Sequence, residues 1–321
     1  MSGKTVRRQA FAVMIVALCL GTAADAYESV SIKATRPAGA KGAVLQAELF
    51  KPKGDGPFPA VVLMHGCGGW QPAVLGGLHS HAMYFLDRGY VVLNLDSFGT
   101  RGTSGGTVCE STARLVRALD YRTHDAFDAL RYMRTLPFVE SHSVFLMGQS
   151  NGGSVAINAA KMTGRDGFRA VAAYYPWCGS LGRAKVKLTS PLVIFSGSRD
   201  DWVPAWQCRH KHAVGATLKV IEYPNAAHSF DLQIPPQRYL GKLIGYDKPA
   251  TEDSRAHMVA FFNSTLASQQ LADKAPPSLD GAAAAAIALA DKASPSADVT
   301  IDDLAALAAA WTGDGDIRWF E

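Results

Sequence analysis

The stretch Val144-Phe145-Leu146-Met147-Gly148-Gln149-Ser150-Asn151-Gly152, followed by Ser154-Val155-Ala156-Ile157, decides the fold. Its large apolar run is too continuous for a half-exposed strand, and small helix-forming residues follow the Gly-x-Ser-x-Gly turn. A strand that turns into a helix around one residue pinches the backbone, so side chains on either flank would collide with neighbouring elements. The glycines remove that collision and leave Ser150 exposed at the tip of the turn, at the helix N-terminus.

Working outward, the same pattern of a buried run ending in a loop recurs along the chain. Ala60 to Met64 leads into His65-Gly66-Cys67-Gly68-Gly69-Trp70, and Tyr90 to Leu95 leads into Asp96-Ser97-Phe98-Gly99-Thr100-Arg101. Ala170 to Tyr175 leads into Pro176-Trp177-Cys178-Gly179, and Pro191 to Ser196 leads into Gly197-Ser198-Arg199-Asp200-Asp201-Trp202. Leu218 to Tyr223 precedes Pro224-Asn225-Ala226-Ala227-His228-Ser229-Phe230. Val30 to Ala34 and Ala43 to Phe50 alternate like a hairpin joined through Pro37-Ala38-Gly39. Helical periodicity predicts helices over about Leu78 to Arg88, Ala113 to Leu136 and Glu252 to Ser268. Buried strands alternating with amphipathic helices predict an α/β fold, a mainly parallel central sheet with helices on both faces. Ligands of such sheets bind beyond the carboxyl ends of the strands.

At 321 residues and 48% hydrophobic content, the chain can bury the core of one large domain. A net charge of +4 with scattered Lys and Arg gives no nucleic-acid surface. Residues 1–26 read as an export signal: Lys4, Arg7 and Arg8, an apolar core from Ala10 to Leu20, and Ala24-Asp25-Ala26 as cleavage site. The apolar core is shorter than the roughly 20 residues that cross a bilayer, so no stable membrane insertion is expected after cleavage. The expected division is a signal at 1–26, a catalytic domain at 27–270, and an Ala/Pro-rich linker and tail at 271–321.

Of five cysteines, removal of Cys19 with the signal leaves Cys67, Cys109, Cys178 and Cys208. An even number in an exported chain fits disulfides, with three possible connectivities. Cys67–Cys109 and Cys178–Cys208 are preferred, because each ties two loops at the end of the sheet where Ser150 sits. No Cys/His cluster has zinc spacing, so no structural metal is expected, and a triad mechanism needs no metal or organic cofactor.

A serine hydroxyl needs a base within hydrogen-bond reach and a carboxylate to fix that base. Ser150, Asp200 and His228 stand in the chain order this architecture uses, each at the end of its own strand. Asp201 competes with Asp200 for the acid role, and Asp200, directly beyond the strand, is preferred. The N–H groups of Cys67 and Asn151 are the expected oxyanion donors, with Gly66 in place of Cys67 if the loop is shifted by one. Trp70, Trp177 and Trp202 lie on the surrounding loops as candidate pocket walls, with burial as loop anchors the alternative. Asp96 and Arg101 are candidate substrate contacts, and a structural ion pair that holds their loop is the alternative. Arg122, His124 and Asp125 read as a polar helix face and a strand-to-helix tie.

The Gly-Gln-Ser-Asn-Gly elbow, the Gly-Ser-Arg-Asp-Asp-Trp-Val-Pro acid loop and the Ala-Ala-His-Ser-Phe histidine loop, in this order, resemble the dienelactone hydrolase family of the α/β-hydrolase fold. The resemblance covers about Val30 to Ser268 and implies hydrolysis of a small-molecule ester without a cofactor. Founding members of that family use a cysteine nucleophile and carry a glutamate in the loop that matches His65 to Trp70. They also place a carboxylate-binding arginine shortly after the histidine, where this chain has Asp231 and Leu232; Arg101 is the candidate match for their other such arginine. Ser150 and these departures imply a serine esterase. A serine peptidase or amidase of the same fold, or a binding protein on a hydrolase scaffold, are the competing expectations.

Overall fold

The computed structural model describes residues 27–35, 44–103, 106–162, 166–181, 185–209 and 211–274. The signal-like segment 1–26, the Pro37-Ala38-Gly39 link and residues 275–321 lie outside the described residues.

Eight strands form one sheet: β1 (Glu28–Lys33), β2 (Val44–Phe50), β3 (Phe58–Met64), β4 (Val91–Asp96), β5 (Val139–Gln149), β6 (Val171–Tyr174), β7 (Leu192–Gly197) and β8 (Leu218–Tyr223). Their spatial order is β1-β2-β4-β3-β5-β6-β7-β8. β1–β2 and β2–β4 pair antiparallel, and every later pair is parallel. The register lines up the carboxyl ends of the parallel strands. Met64 lies opposite Leu95 on one side and Gly148 on the other, Gln149 opposite Tyr174, and Tyr223 opposite Gly197.

The period of two along each strand sorts its residues into two cores. On β3, Val61 and Leu63 join Leu78, Phe85 and Phe262, which come from α1 (Pro72–Leu86) and α4 (Lys248–Lys274). Ala60, Val62 and Met64 join Leu119, Phe127 and Val155, which come from α2 (Thr112–Thr135) and α3 (Asn151–Lys161). Because both faces are covered, the middle strands are apolar throughout, which is why they read as unbroken runs.

The helix boundaries follow local chemistry. The Ser111 side chain accepts from the Arg114 N–H and caps α2, and Pro137 ends it one residue after Leu136. α1 begins at Pro72, six residues before the predicted Leu78, because proline suits a first helical turn and Gly76-Gly77 hides the periodicity. α4 begins at Lys248 and not at Glu252, since Asp247 Oδ1 accepts from the Ala250 N–H at 2.9 Å. It runs to Lys274, past the predicted Ser268.

The expected alternation fails on one flank. Among the described residues, the β6–β7 and β7–β8 connections carry only the single-turn helices Cys178–Leu181 and Ala205–Gln207, with no α-helix. A small parallel ribbon of Lys185–Lys187 on His212–Val214 and the Cys178–Cys208 disulfide join the two connections. Cys178, Leu181, Val186 and Cys208 fill the α2/α3-side core in the space a crossover helix would occupy. The other bridge is Cys67–Cys109, so both preferred pairings are the ones formed. Two disulfides fit an extracellular protein. Among the described residues no helix is long and apolar enough to cross a membrane.

Candidate active site

β5 ends at Gln149 and α3 starts at Asn151, which leaves Ser150 alone in the turn at φ 52°, ψ −115°. The close approach behind it explains the flanking residues. A Cβ on Gly148 would stand 2.1 Å from Gly152 O, and one on Gly152 would stand 2.3 Å from Met64 O. No side chain larger than hydrogen fits either position.

His228 Nε2 lies 2.9 Å from Ser150 Oγ, and His228 Nδ1 lies 2.7 Å from Asp200 Oδ2. The other Asp200 oxygen accepts the backbone N–H groups of Trp202 and Val203, both at 2.9 Å. The two His228 contacts join loops at the carboxyl ends of β5, β7 and β8, and the two backbone contacts hold Asp200 within its own loop. Asp201 turns outward to Arg238 and to the Leu243 N–H, away from His228. The His228 ring is packed by Tyr175, 4.7 Å between centroids, and by Trp202, 5.0 Å.

Ser150 opens into a cleft of about 100 Å³, also lined by Gly66, Cys67, Cys109, Val74, Trp202, Leu232, Ile234, Tyr239 and Ile244. Its walls are mostly apolar, and the Cys67–Cys109 disulfide is one of them. A larger cavity of about 970 Å³ lies at the opposite end of the sheet, around Arg134, His142 and Lys219. Among the described residues no group of three His, Cys, Asp or Glu could hold a metal ion. Four non-glycine described residues have positive φ: Ser150, Tyr175, Ser229 and Leu240. The first three line the cleft, consistent with backbone strain gathering where function constrains it.

The loop after β3 packs directly on the serine. A Cβ on Gly66 would sit 3.3 Å from Ser150 Cβ. Asn151 is the first residue of α3, so its N–H has no carbonyl partner one turn back in the helix. Cys67 lines the cleft beside Ser150, and Asn151 follows Ser150 directly in the chain.

Three of the four residues expected on the rim lie elsewhere. Trp70 packs against the α1/α4-side core and does not line the cleft. Trp177 is 42% exposed, folded over Gly179, and its backbone N–H donates to Ser154 Oγ. Arg101 is buried and holds both Asp125 oxygens at 2.7 and 2.8 Å and the Ser97 carbonyl. Its ion pair is thus with Asp125, and the Asp96 carboxylate accepts instead from the N–H groups of Phe98 and Gly99. Trp202 lines the cleft.

Sequence reasoning passed over two buried groups. Arg122, read as part of a polar face, is wholly buried and donates to Asn151 Oδ1 and to the His65 carbonyl, each at 2.6 Å. Burial lowers its pKa to about 10, so it stays charged at neutral pH. Its signal was spacing: Ala118, Arg122 and Ala126 follow at i, i+4 along the buried stripe of α2. Asp231 is the second. Its carboxylate accepts from His81 Nε2 and Gln149 Nε2, both at 2.7 Å, and from the Tyr175 hydroxyl at 2.5 Å. Burial pushes the Asp231 carboxyl up, and the donors around it, His81 first, outweigh burial and hold it below its usual range. Asp231 thereby anchors the aromatic ring that packs on His228.

His65 and His81 are both fully buried, and burial pushes each imidazole pKa down. In the unfolded chain both titrate near 6.5. Between the folded values and about 6.5 the unfolded state binds more protons, so stability rises with pH through that window and is fully present above it. Thermal unfolding midpoints are expected to be level from about pH 7 to 8 and to fall progressively below about 6.5. A midpoint that stays level to pH 5 would contradict a neutral buried state for both histidines.

The family profile for the dienelactone hydrolase family matches residues 45–266. Among solved structures, a Klebsiella pneumoniae protein described as a dienelactone hydrolase is 17% identical, with 74% of this chain and 99% of that chain covered and a TM-score of 0.55. A dienelactone hydrolase-like promiscuous phosphotriesterase from metagenomic libraries is 20% identical, covering 75% and 99%, at 0.54. A thermophilic esterase from Thermogutta terrifontis is 17% identical, covering 74% and 91%, at 0.51. At these identities the likeness is one of fold. No relative was found among curated proteins.

Proposed function

The chain belongs to the dienelactone hydrolase family, and from that premise we propose that it is an exported serine esterase acting on small carboxylic esters through Ser150, His228 and Asp200. The observation that carries this reading is the unbroken hydrogen-bond chain from Asp200 through His228 to Ser150 at the mouth of the cleft. His228 takes the hydroxyl proton as Ser150 Oγ attacks the ester carbonyl, and Asp200 holds the imidazole with its proton on Nδ1 and stabilises the charged form. The N–H groups of Cys67 and Asn151 receive the negative charge that develops on the carbonyl oxygen. His228 then gives its proton to the leaving alcohol, and water releases the acyl group from Ser150 by the reverse route.

The cleft of about 100 Å³ is small beside the roughly 300 Å³ and upward of pockets for drug-sized ligands, which favours short acyl groups. Its apolar walls, with Val74, Leu232 and Ile234, favour alkyl over charged acyl groups. Export is supported by the signal-like pattern of residues 1–26 and by the two disulfides.

A fluorophosphonate probe tests the reading. The purified protein is expected to take up one phosphonyl group on Ser150, located by peptide mass spectrometry, and to turn over p-nitrophenyl acetate and butyrate until labelled. Absence of both adduct and turnover would transfer the case to a non-catalytic binding protein.

A further inference from the structure

His65 directly follows β3, is fully buried and does not line the cleft. Its Nδ1 lies 2.7 Å from the Gly66 carbonyl oxygen, which can only accept, so Nδ1 carries a proton. The Ser97 N–H is directed at Nε2 from 3.2 Å, so Nε2 carries the lone pair and the ring is neutral. The nearby groups sort consistently with that assignment. Asp96 Oδ1, 3.6 Å from Nε2 and so beyond hydrogen-bond distance, accepts the Phe98 and Gly99 N–H groups, while burial and the Arg122 cation, which outweigh the opposing pull of Asp96 and Gly66, disfavour a second charge on the ring. Arg122 Nη2 bonds the His65 carbonyl at 2.6 Å and approaches Nδ1 only to 3.2 Å; with the Nδ1 proton directed at the Gly66 oxygen 2.7 Å away, that longer approach is a contact between two donors.

The Gly66 carbonyl and the Cys67 N–H belong to a single planar peptide group. A hydrogen bond to its oxygen fixes the plane of that group and draws electron density from its nitrogen, which makes the N–H a stronger donor. Arg122 holds the two sides of the arrangement together. It bonds the His65 carbonyl on one side and, through Asn151 Oδ1, the first residue of α3 on the other. Among the described residues no carboxylate lies in ion-pair contact with Arg122, so its charge is spent on these neutral acceptors.

We propose that His65 is a positioning residue that aims and polarises the Cys67 N–H for the oxyanion, with Arg122 locking that loop to Asn151. The inference rests on the esterase reading and on Cys67 as the donor.

Two substitutions separate the two bonds of His65. An asparagine amide nitrogen can stand where Nδ1 stands and still donate to Gly66, whereas a glutamine oxygen reaches the place of Nε2 and still accepts from Ser97. With p-nitrophenyl butyrate, His65→Gln is expected to lower kcat and kcat/KM together by roughly tenfold to a hundredfold, short of the full 10²–10³ loss for a deleted oxyanion donor. KM is expected to stay within about twofold, since the interaction matters only once charge develops. His65→Asn is expected to restore most of that loss. A residue that merely ties the loop to Ser97 gives the reverse order, and reversed or equal losses overturn the proposal. Stoichiometric phosphonate labelling of Ser150 in each variant shows that the site is folded. Nitrogen-15 NMR of the labelled wild-type histidines supplies the check that needs no variant: a neutral Nδ1–H tautomer for His65 from pH 6 to 8 supports the proposal, and an Nε2–H or charged ring overturns it. A wild-type protein inert to the phosphonate would sink the esterase reading itself, while an active one with the wrong variant order or tautomer sinks only this inference.

Discussion

Replacing Ser150 with alanine is expected to lower kcat for p-nitrophenyl acetate by up to about a millionfold, the loss seen when a triad nucleophile is removed. The size follows from what remains. With the hydroxyl gone, His228 has no proton to accept and no acyl-enzyme can form, so only binding and the oxyanion donors act on a water molecule. The fold is expected to tolerate the change, because alanine keeps the Cβ at an unchanged backbone conformation and Oγ bonds only His228 among the described contacts. Thermal unfolding measured beside the assay separates a dead site from a lost structure. Turnover within about tenfold of wild type, in contrast to the expected triad loss, would move the nucleophile to Ser229, the other serine lining the cleft.

Asp200→Asn carries the second large effect, about 10⁴ in kcat. The Asp200 oxygen facing away from His228 accepts two backbone N–H groups, from Trp202 and Val203. An amide in its place must keep its oxygen on those two donors and therefore turns its NH₂ toward His228 Nδ1. Nδ1 then becomes an acceptor, the ring proton moves to Nε2, and the nitrogen facing Ser150 can no longer take the hydroxyl proton. Asp201→Asn is the matching control. That side chain is held by Arg238 and the Leu243 N–H at the surface, and its kcat is expected to stay within about twofold, as for a surface change remote from the chemistry. Equal losses at 200 and 201 would mean that the loop is being disturbed as a whole.

Much of the candidate site was legible because it is written locally. A tight strand-to-helix turn demands glycines at fixed offsets, and the acid and histidine sit directly beyond buried runs, so Ser150, Asp200 and His228 could be placed on strand ends by pattern alone. The cysteine pairs were legible for a related reason, since all four lie on loops that the sheet gathers at one end. What escaped depends on direction. A tryptophan on a rim loop turns toward the cleft, as Trp202 does, or folds onto the core, as Trp70 does, according to neighbours that no sequence window contains. Arg101 was correctly suspected of an ion pair, yet its partner is Asp125 on α2 and not Asp96 on its own loop, because the helix carries Asp125 beneath that loop. No helix was read between Ala170 and Tyr223, and the connections there carry a disulfide and a two-strand ribbon in place of crossover helices.

The backbone at Ser150 carries a final consequence. A side-chain-bearing residue at φ 52°, ψ −115° sits where such residues are rarely found, and that conformation costs on the order of 1–3 kcal/mol. Glycine would adopt it with little penalty. The most stable sequence for this turn and the reactive one are therefore different sequences. A selection for thermostability or expression alone, applied to this chain, should drift toward glycine at position 150 and return a sturdier protein with no nucleophile.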